Sequence, residues 1–190
     1  MHEFASINWR SRGYLPHFDA PGSQQHIVFG LADALPEGSE LSSEDPLTSF
    51  DSALDRGSGK CVLRDPRCAL AVQQALLHGD LERYRLLAWC IMPNHVHVVI
   101  EQNEDLAGSV RRWKSWSARG INAHLGRTGR VWRREYFDRF ARNADQLAHM
   151  IHYVESNPVA AGLVVDAKEW PWSSAGHAVA KIAGQEPGGP

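Results

Sequence analysis

No apolar run in this chain approaches the length needed to cross a bilayer, and the opening residues MHEFASINWR lack the pattern of a secretory leader. Cysteine is scarce: Cys61, Cys68 and Cys90 form no CxxC and, being three, cannot all pair. A reducing cytoplasm fits this usage best. There is no helicase-like phosphate loop and no internal repeat. These absences turn attention from membranes, disulfide frameworks and nucleotide-driven motors to a compact cytoplasmic domain.

What is present suits one domain. A chain of 190 residues, 43% hydrophobic and 22% charged, has enough apolar side chain for one well-buried core. The formal net charge of −2 conceals a strong asymmetry. From Asp33 to Asp55 there are seven acids and no Lys or Arg, whereas Leu106 to Arg142 holds ten Lys/Arg against Glu135 and Asp138. A local positive excess of that size points to a polyanion partner, since a merely solvated helix face mixes its signs.

The chain parses as follows. Residues 1–25, broken by Gly13, Pro16, Pro21 and Gly22, read as an extended arm in which Arg10 and Arg12 are placed to touch a nucleic-acid backbone. HIVFGL (26–31) is a strand. Residues 32–60, rich in Pro, Gly, Ser and acids, show no clear periodicity beyond a short turn of helix and read as an acidic insertion or loop, partly disordered. DPRCALAVQQALLHGD (65–80) is a helix with Pro at its start and Gly at its end. RYRLLAWCIM and HVHVVI are two strands joined by a tight hairpin at Pro93-Asn94. Residues 106–125 form a helix with Leu106, Val110, Trp113, Ser117, Ile121 and His124 on one stripe. Arg111, Arg112 and Arg119 lie roughly opposite, and Trp116 sits on the border. Part of VWRREYFDRFAR is a strand, residues 143–157 are the last helix, and 176–190 are a flexible tail. The order β-α-β-β-α-β predicts an α+β, ferredoxin-like (RRM-like) antiparallel sheet with helices on one face and HVHVVI as a central strand.

Two stretches carry chemistry. In a strand, residues i and i+2 share a face, so His95 and His97 project side by side as a half-site for a divalent cation. Taken alone, a His-x-His pair is a weak signal, more often a pair of buried rings satisfied by backbone carbonyls. In NADQLAHMIHYVESN (143–157), Asn143 and Gln146 fit a capping box, and Leu147, Met150, Ile151 and Val154 supply a core stripe. Tyr153 and Asn157 lie four apart on the flank of that stripe, with His149 one turn earlier. Pro158 biases Asn157 out of the helical region and so predicts that the helix ends there. A phenol is a poor nucleophile unless a nearby dication also binds the phosphate it attacks. Taken singly, Tyr153 is an ordinary boundary tyrosine and Asn157 a helix C-cap.

PNHVHVVI, followed about sixty residues later by HYVESNPVAAGLV and then WPWSSA, resembles the single-tyrosine HUH transposases, IS200-like, and more narrowly the REP-associated tyrosine transposases of bacteria. The similarity runs from RGYLPHF (12–18) to WPWSSA (170–175). It implies that His95 and His97 are the HUH histidines, Tyr153 the nucleophile and Asn157 a third, polar metal ligand. It further implies Mg²⁺ or Mn²⁺, and a single-stranded DNA substrate cut beside a hairpin (REP-like) through a 5′-phosphotyrosine, in a bacterial cytoplasm and on the nucleoid when bound. Two features depart from the family pattern: the acidic stretch 33–55, and Gly30, where a bulkier or charged strand residue is expected. Arg111, Arg112, Lys114, Arg119, Arg133 and Arg134 are the candidate DNA track, with Trp116 as a stacking partner. A hairpin-DNA or RNA binder that no longer cuts is the rival from another class, and an HUH relaxase or replication initiator the rival within it. Monomer and homodimer are both open.

Overall fold

Turn chemistry and strand alternation assemble a mixed-length antiparallel sheet. The computed structural model describes residues 8–11, 16–35, 46–56 and 59–177. Tyr84–Ile91 (strand β4) and His95–Gln102 (β5) run antiparallel, and the Met92 N–H donates to the His95 carbonyl (2.9 Å) across Pro93-Asn94. Gln24–Gly30 (β3) pairs with β5 on the other side, and the short Phe137–Phe140 (β6) pairs with β3. The order β4-β5-β3-β6 puts β3 and β5 in the centre. The fold is α+β and ferredoxin-like, with the histidine-bearing strand central as expected.

Residues Asn8–Ser11 (β1) and Pro16–Asp19 (β2) pair as a separate two-stranded hairpin within the stretch read as an extended arm. Arg12 lies outside the described residues, as do 36–45 of the acidic stretch and 178–190 of the tail. His177 is still tied down: its N–H donates to Ser173 and its Nδ1 meets Gln73 Nε2 at 3.1 Å. No helix among the described residues is long and apolar enough to cross a membrane.

One sheet face presents Ile27, Phe29, Trp89, Ile91, Val96, Val98 and Ile100. Pro66–Leu77 (α2) and Leu106–His124 (α3) cover it, each begun by an Asp cap. Asp65 accepts from Arg67 N–H and Asp105 from Gly108 N–H. The predicted α3 stripe buries Leu106, Val110, Trp113, Ser117 and Ile121, while His124 lies at the edge and bonds Asp65 at 2.9 Å.

The helices do not all lie on one face, the arrangement expected from the topology: the opposite face is covered as well, because its apolar residues Ala88, Cys90, Met92 and Val99 also require burial. Ala144–Ala160 (α4) packs Val154, Leu147, Met150 and Ile151 on Ala88, Cys90, Met92 and Val99. Asn143 caps it by accepting from Gln146 N–H, and the Gln146 side chain accepts from Arg142 N–H, one residue earlier than a reciprocal capping box would have it. The helix does not stop at Asn157. It continues through Pro158, because burial of Asn157 and Pro158 outweighs the local preference of a residue preceding proline.

Within the stretch expected to be an acidic loop, Pro46–Asp55 form a helix, α1. Its apolar residues Leu47, Phe50, Ala53 and Leu54 recur at helical spacing and are buried, with Phe50 stacked on Phe137 at 4.2 Å. Gly30 makes this docking possible. A Cβ there would lie 2.9 Å from a Leu54 δ-methyl, so the bare strand position is the seat of α1.

Candidate metal and nucleophile site

The site is built where α1 and α4 meet the histidine face of β5. His95 and His97 point the same way, as alternation requires, and are 1% and 0% exposed. Their Nε2 atoms are 2.9 Å apart. The remote nitrogen of each ring is spoken for. His95 Nδ1 lies 2.7 Å from Asn94 Oδ1, while Asn94 Nδ2 donates to the Leu54 carbonyl at 2.9 Å. A carbonyl only accepts, so the Asn94 amide orientation is set, its Oδ1 accepts from His95 Nδ1–H, and His95 Nε2 keeps its lone pair. His97 Nδ1 meets His26 Nε2 at 3.1 Å, and Asn157 Nδ2 donates to His97 Nε2 at 3.2 Å. The His97 tautomer with its proton on Nδ1, donated to His26, is the one that leaves Nε2 free for a cation.

Asp51 of α1 enters between these rings and the last helix. Its Oδ1 is 3.2 Å from His97 Nε2 and 3.7 Å from His95 Nε2, and its Oδ2 accepts a hydrogen bond from the Tyr153 hydroxyl. Asp55, one turn on, reaches to 3.7 Å from His95 Nε2 at the half-exposed rim. Tyr153 is 45% exposed, so its ring borders solvent while its oxygen faces the carboxylate. His149, one turn before it, is exposed and makes no part of this cluster.

The electrostatics follow from burial. Burial, then the neighbouring His97, pushes His26 and His95 down to about 3, so both are neutral over the ordinary pH range. For Asp51 burial acts upward, but the neighbouring His97 and the hydrogen bond from Tyr153 hold it below the usual carboxylate range. Burial, then the hydrogen bond and charge of Asp51, raises the Tyr153 phenol. Burial and Asp51 also raise Asp55.

Asp51, His95 and His97 offer ligand atoms that all lie within 4.8 Å of one another, a group able to hold a metal ion. The donor set fits a divalent cation. The Nε2 atoms of both rings and a carboxylate oxygen face one another, Asp51 Oδ1 has no hydrogen-bond partner there, and Asn157 Oδ1 is likewise buried without one. A half-turn of the Asn157 amide would bring its Oδ1 to the point its Nδ2 now occupies.

Of the candidates read from the sequence, His95, His97, Tyr153 and Asn157 come together in this cluster. Asp51, His26 and Asn94 were missed. Asn94 sits inside the PNHVHVVI motif and His26 begins HIVFGL, so both were in view; Asp51 was one acid among seven.

The basic candidates separate. Arg111, Arg133 and Arg134 line a cavity of about 440 Å³ between α3 and residues 129–136, together with Arg130. Arg119 is exposed on α3, and Arg10 lies in β1. Arg112 is paired with Glu104 at 2.6 Å. Lys114 turns inward: its Nζ donates to the carbonyls of Arg133, Arg134 and Glu135 at 3.0–3.2 Å and lies over the Phe29 and Tyr136 rings. Burial lowers it to about 8. Trp116 is 43% exposed, with its ring 4.3 Å from that of His78.

Comparison with known proteins places this geometry. Residues 76–157 match the family model described as "Transposase IS200 like". A REP-associated tyrosine transposase of Escherichia coli is 24% identical over 98 residues, which covers 52% of this chain and 58% of that protein. A protein of Haemophilus influenzae described as a REP-associated tyrosine transposase is 28% identical over 103 residues, covering 48% and 58%. The chain thus spans 58% of the length of these curated relatives. A solved structure, of a REP-associated tyrosine transposase bound to a REP hairpin, shares the fold with a TM-score of 0.60 at 18% identity, over 92% of this chain and 88% of that one. The resemblance read from PNHVHVVI and HYVESNP is borne out by family model, by curated relatives and by fold.

Proposed function

We propose that this IS200-like, REP-associated transposase relative is a metal-dependent single-stranded DNA endonuclease and strand transferase that cuts beside a hairpin through Tyr153. The observation that carries the reading is the approach of the two imidazole Nε2 atoms to 2.9 Å within hydrogen-bond reach of the helix that bears a half-exposed tyrosine. His95, His97 and Asn157 would hold the ion. When bound, Mg²⁺ or Mn²⁺ supplies positive charge against the non-bridging oxygens of the scissile phosphate.

The protein's own residues account for the rest. Tyr153 Oη attacks phosphorus, the bond to the 3′ oxygen breaks, and that oxygen leaves as a free 3′-OH. The 5′ side stays on the enzyme as a phosphotyrosine, and attack by a 3′-OH in the reverse sense rejoins a strand and releases the phenol. Asn94 holds His95 in the tautomer that leaves Nε2 open, and His26, as acceptor for a proton on His97 Nδ1, would do the same for His97. Arg111, Arg119, Arg133 and Arg134, with Arg10 and Arg12, track the phosphates of a single strand and its hairpin foot. Arg112 and Lys114, already engaged within the fold, serve that track indirectly. A continuous duplex cannot splay its bases away from the attacked phosphate, which favours a single-stranded flank as substrate.

The test uses labelled single strands that carry hairpins from the DNA flanking the protein's own gene. In Mg²⁺ or Mn²⁺ the wild-type protein is expected to give a cut strand and a denaturant-resistant protein–DNA adduct. Tyr153→Phe gives neither but still binds the hairpin, and His95→Ala or His97→Ala does not cut in limiting metal. An adduct in the Phe variant would move the nucleophile to Tyr136. Tight hairpin binding by a wild-type protein that never cuts would make it a binder instead.

A further inference from the structure

Helix α1 brings to this site a carboxylate that the proposed reaction has not used. Asp51 is 1% exposed, and its two oxygens face different partners. Oδ2 takes the Tyr153 hydroxyl. Oδ1 looks at the Nε2 atoms of His97 and His95, 3.2 and 3.7 Å away, and receives no hydrogen bond. A buried carboxylate oxygen without a hydrogen-bond donor, beside two imidazole nitrogens, is costly to leave unpaired, and a cation at the centre of the three would satisfy it.

The placement of α1 is specified by the fold. Gly30 pairs with His95 across β3 and β5, and its missing side chain is the space that Leu54 fills. Asn94 Nδ2, from the same amide that sets the His95 tautomer, pins the Leu54 carbonyl at the end of α1. Phe50 anchors the middle of the helix on Phe137. The glycine and the acidic segment, the two departures from the family pattern, are therefore one structural feature: the strand is cleared so that this helix can dock over the histidines.

We propose that Asp51 Oδ1 is a further protein ligand of the cation held by His95 and His97, and that Asp51 thereby links the ion to Tyr153 through a single carboxylate. The segment inserted between β3 and α2 is then part of the metal centre. An added anionic oxygen raises affinity for a hard divalent ion over what two imidazoles and an amide provide. The inference rests on the reading of the histidine pair as a metal site.

Mn²⁺ binding, followed by loss of the free-ion electron paramagnetic resonance signal, tests it without reference to cleavage. Wild type is expected to bind Mn²⁺ at this site, and the isosteric Asp51→Asn to bind it roughly tenfold or more weakly. Gly30→Val, which leaves Asp51 in the chain but pushes Leu54 and α1 off the strand, should show a loss of the same order. Tyr153→Phe should stay within about twofold of wild type, because the phenol bonds the other oxygen. Folding of each variant is checked by circular dichroism. Wild-type affinity in Asp51→Asn, or in Gly30→Val should the first not fold, overturns the assignment and leaves Asp51 as a tether for Tyr153 alone. Wild-type affinity in His95→Ala would instead overturn the metal centre itself.

Discussion

His26 and His97 stack across the two central strands, with ring centroids 5.4 Å apart, planes inclined by 20°, and His26 Nε2 3.1 Å from His97 Nδ1. A second imidazole thus stands to His97 as Asn94 stands to His95: placed at the remote nitrogen, it is the acceptor that would take the Nδ1–H and leave Nε2 turned toward the site. Removing that acceptor should loosen the ring and its tautomer. His26→Ala is expected to weaken Mn²⁺ binding by about 10–100-fold, and His26→Gln, which retains an acceptor, by less. Equal titrations for the Ala variant and wild type would reduce His26 to packing.

Acid should unfold the metal-free protein early. His26 and His95 titrate near 3 when folded and at 6.5 when not, so between those values the unfolded chain binds more protons. The stability these groups support is complete above pH 6.5 and is lost as pH falls toward 3. Each histidine contributes up to about 1.4 kcal/mol per pH unit within the window. Urea unfolding in EDTA from pH 7 to 4 should show the decline, and His26→Gln should make it shallower. A flat profile would mean that these rings are charged in the folded state.

Asn94 joins three parts of the molecule through its side chain and backbone. Its amide bonds His95 and Leu54, and its carbonyl accepts from Leu31 N–H at 2.8 Å. Asn94→Ala strands a buried imidazole N–H and a helix-end carbonyl, at a cost of about 1–3 kcal/mol for each group left unsatisfied. Denaturant unfolding measures the loss. Mn²⁺ affinity should fall with it, since both His95 and α1 lose their common support.

The basic surface divides into contacts and structure. Arg111→Ala and Arg133→Ala, if each removes one phosphate contact, should each lower the salt-dependence slope of hairpin binding by roughly 0.7. Lys114→Met should leave the slope nearly unchanged and lower stability instead, because three carbonyls lose their donor. A salt titration beside an unfolding curve separates the two. A large slope change in Lys114→Met would show that its ammonium leaves the carbonyls to meet DNA.

Much of this was legible in the residues. The period of two in HVHVVI dictates that His95 and His97 share a face, whatever surrounds them. The stripe of α3, the Asp and Asn caps, and the tight turn at Pro93-Asn94 are equally local, and the β-α-β-β-α-β order restricts the sheet to the one observed. Tyr153 and Asn157 are one helical turn apart by arithmetic alone. Where local rules and packing disagreed, packing prevailed: Pro158 weakens a helix end, but burial of Asn157 against His97 carries α4 past it to Ala160.

Sequence by itself determined the strand that carries the histidine pair, the helix that carries Tyr153, and the resemblance that joins them, because each depends on spacing within a short segment. Tertiary structure alone decided that Asp51, one of seven acids in its stretch, enters the site. Asp51 lies far from His95 along the chain, on a short helix whose apolar stripe is embedded in polar residues, and only docking over Gly30 brings its carboxylate to the imidazoles. The same holds for Lys114. Its place in the basic run of α3 made it a candidate for DNA, and the loop folded against it holds its charge inward. A side chain's face is set by its own helix or strand, but what that face meets is set by elements distant in sequence, and chemistry at a site depends on the meeting.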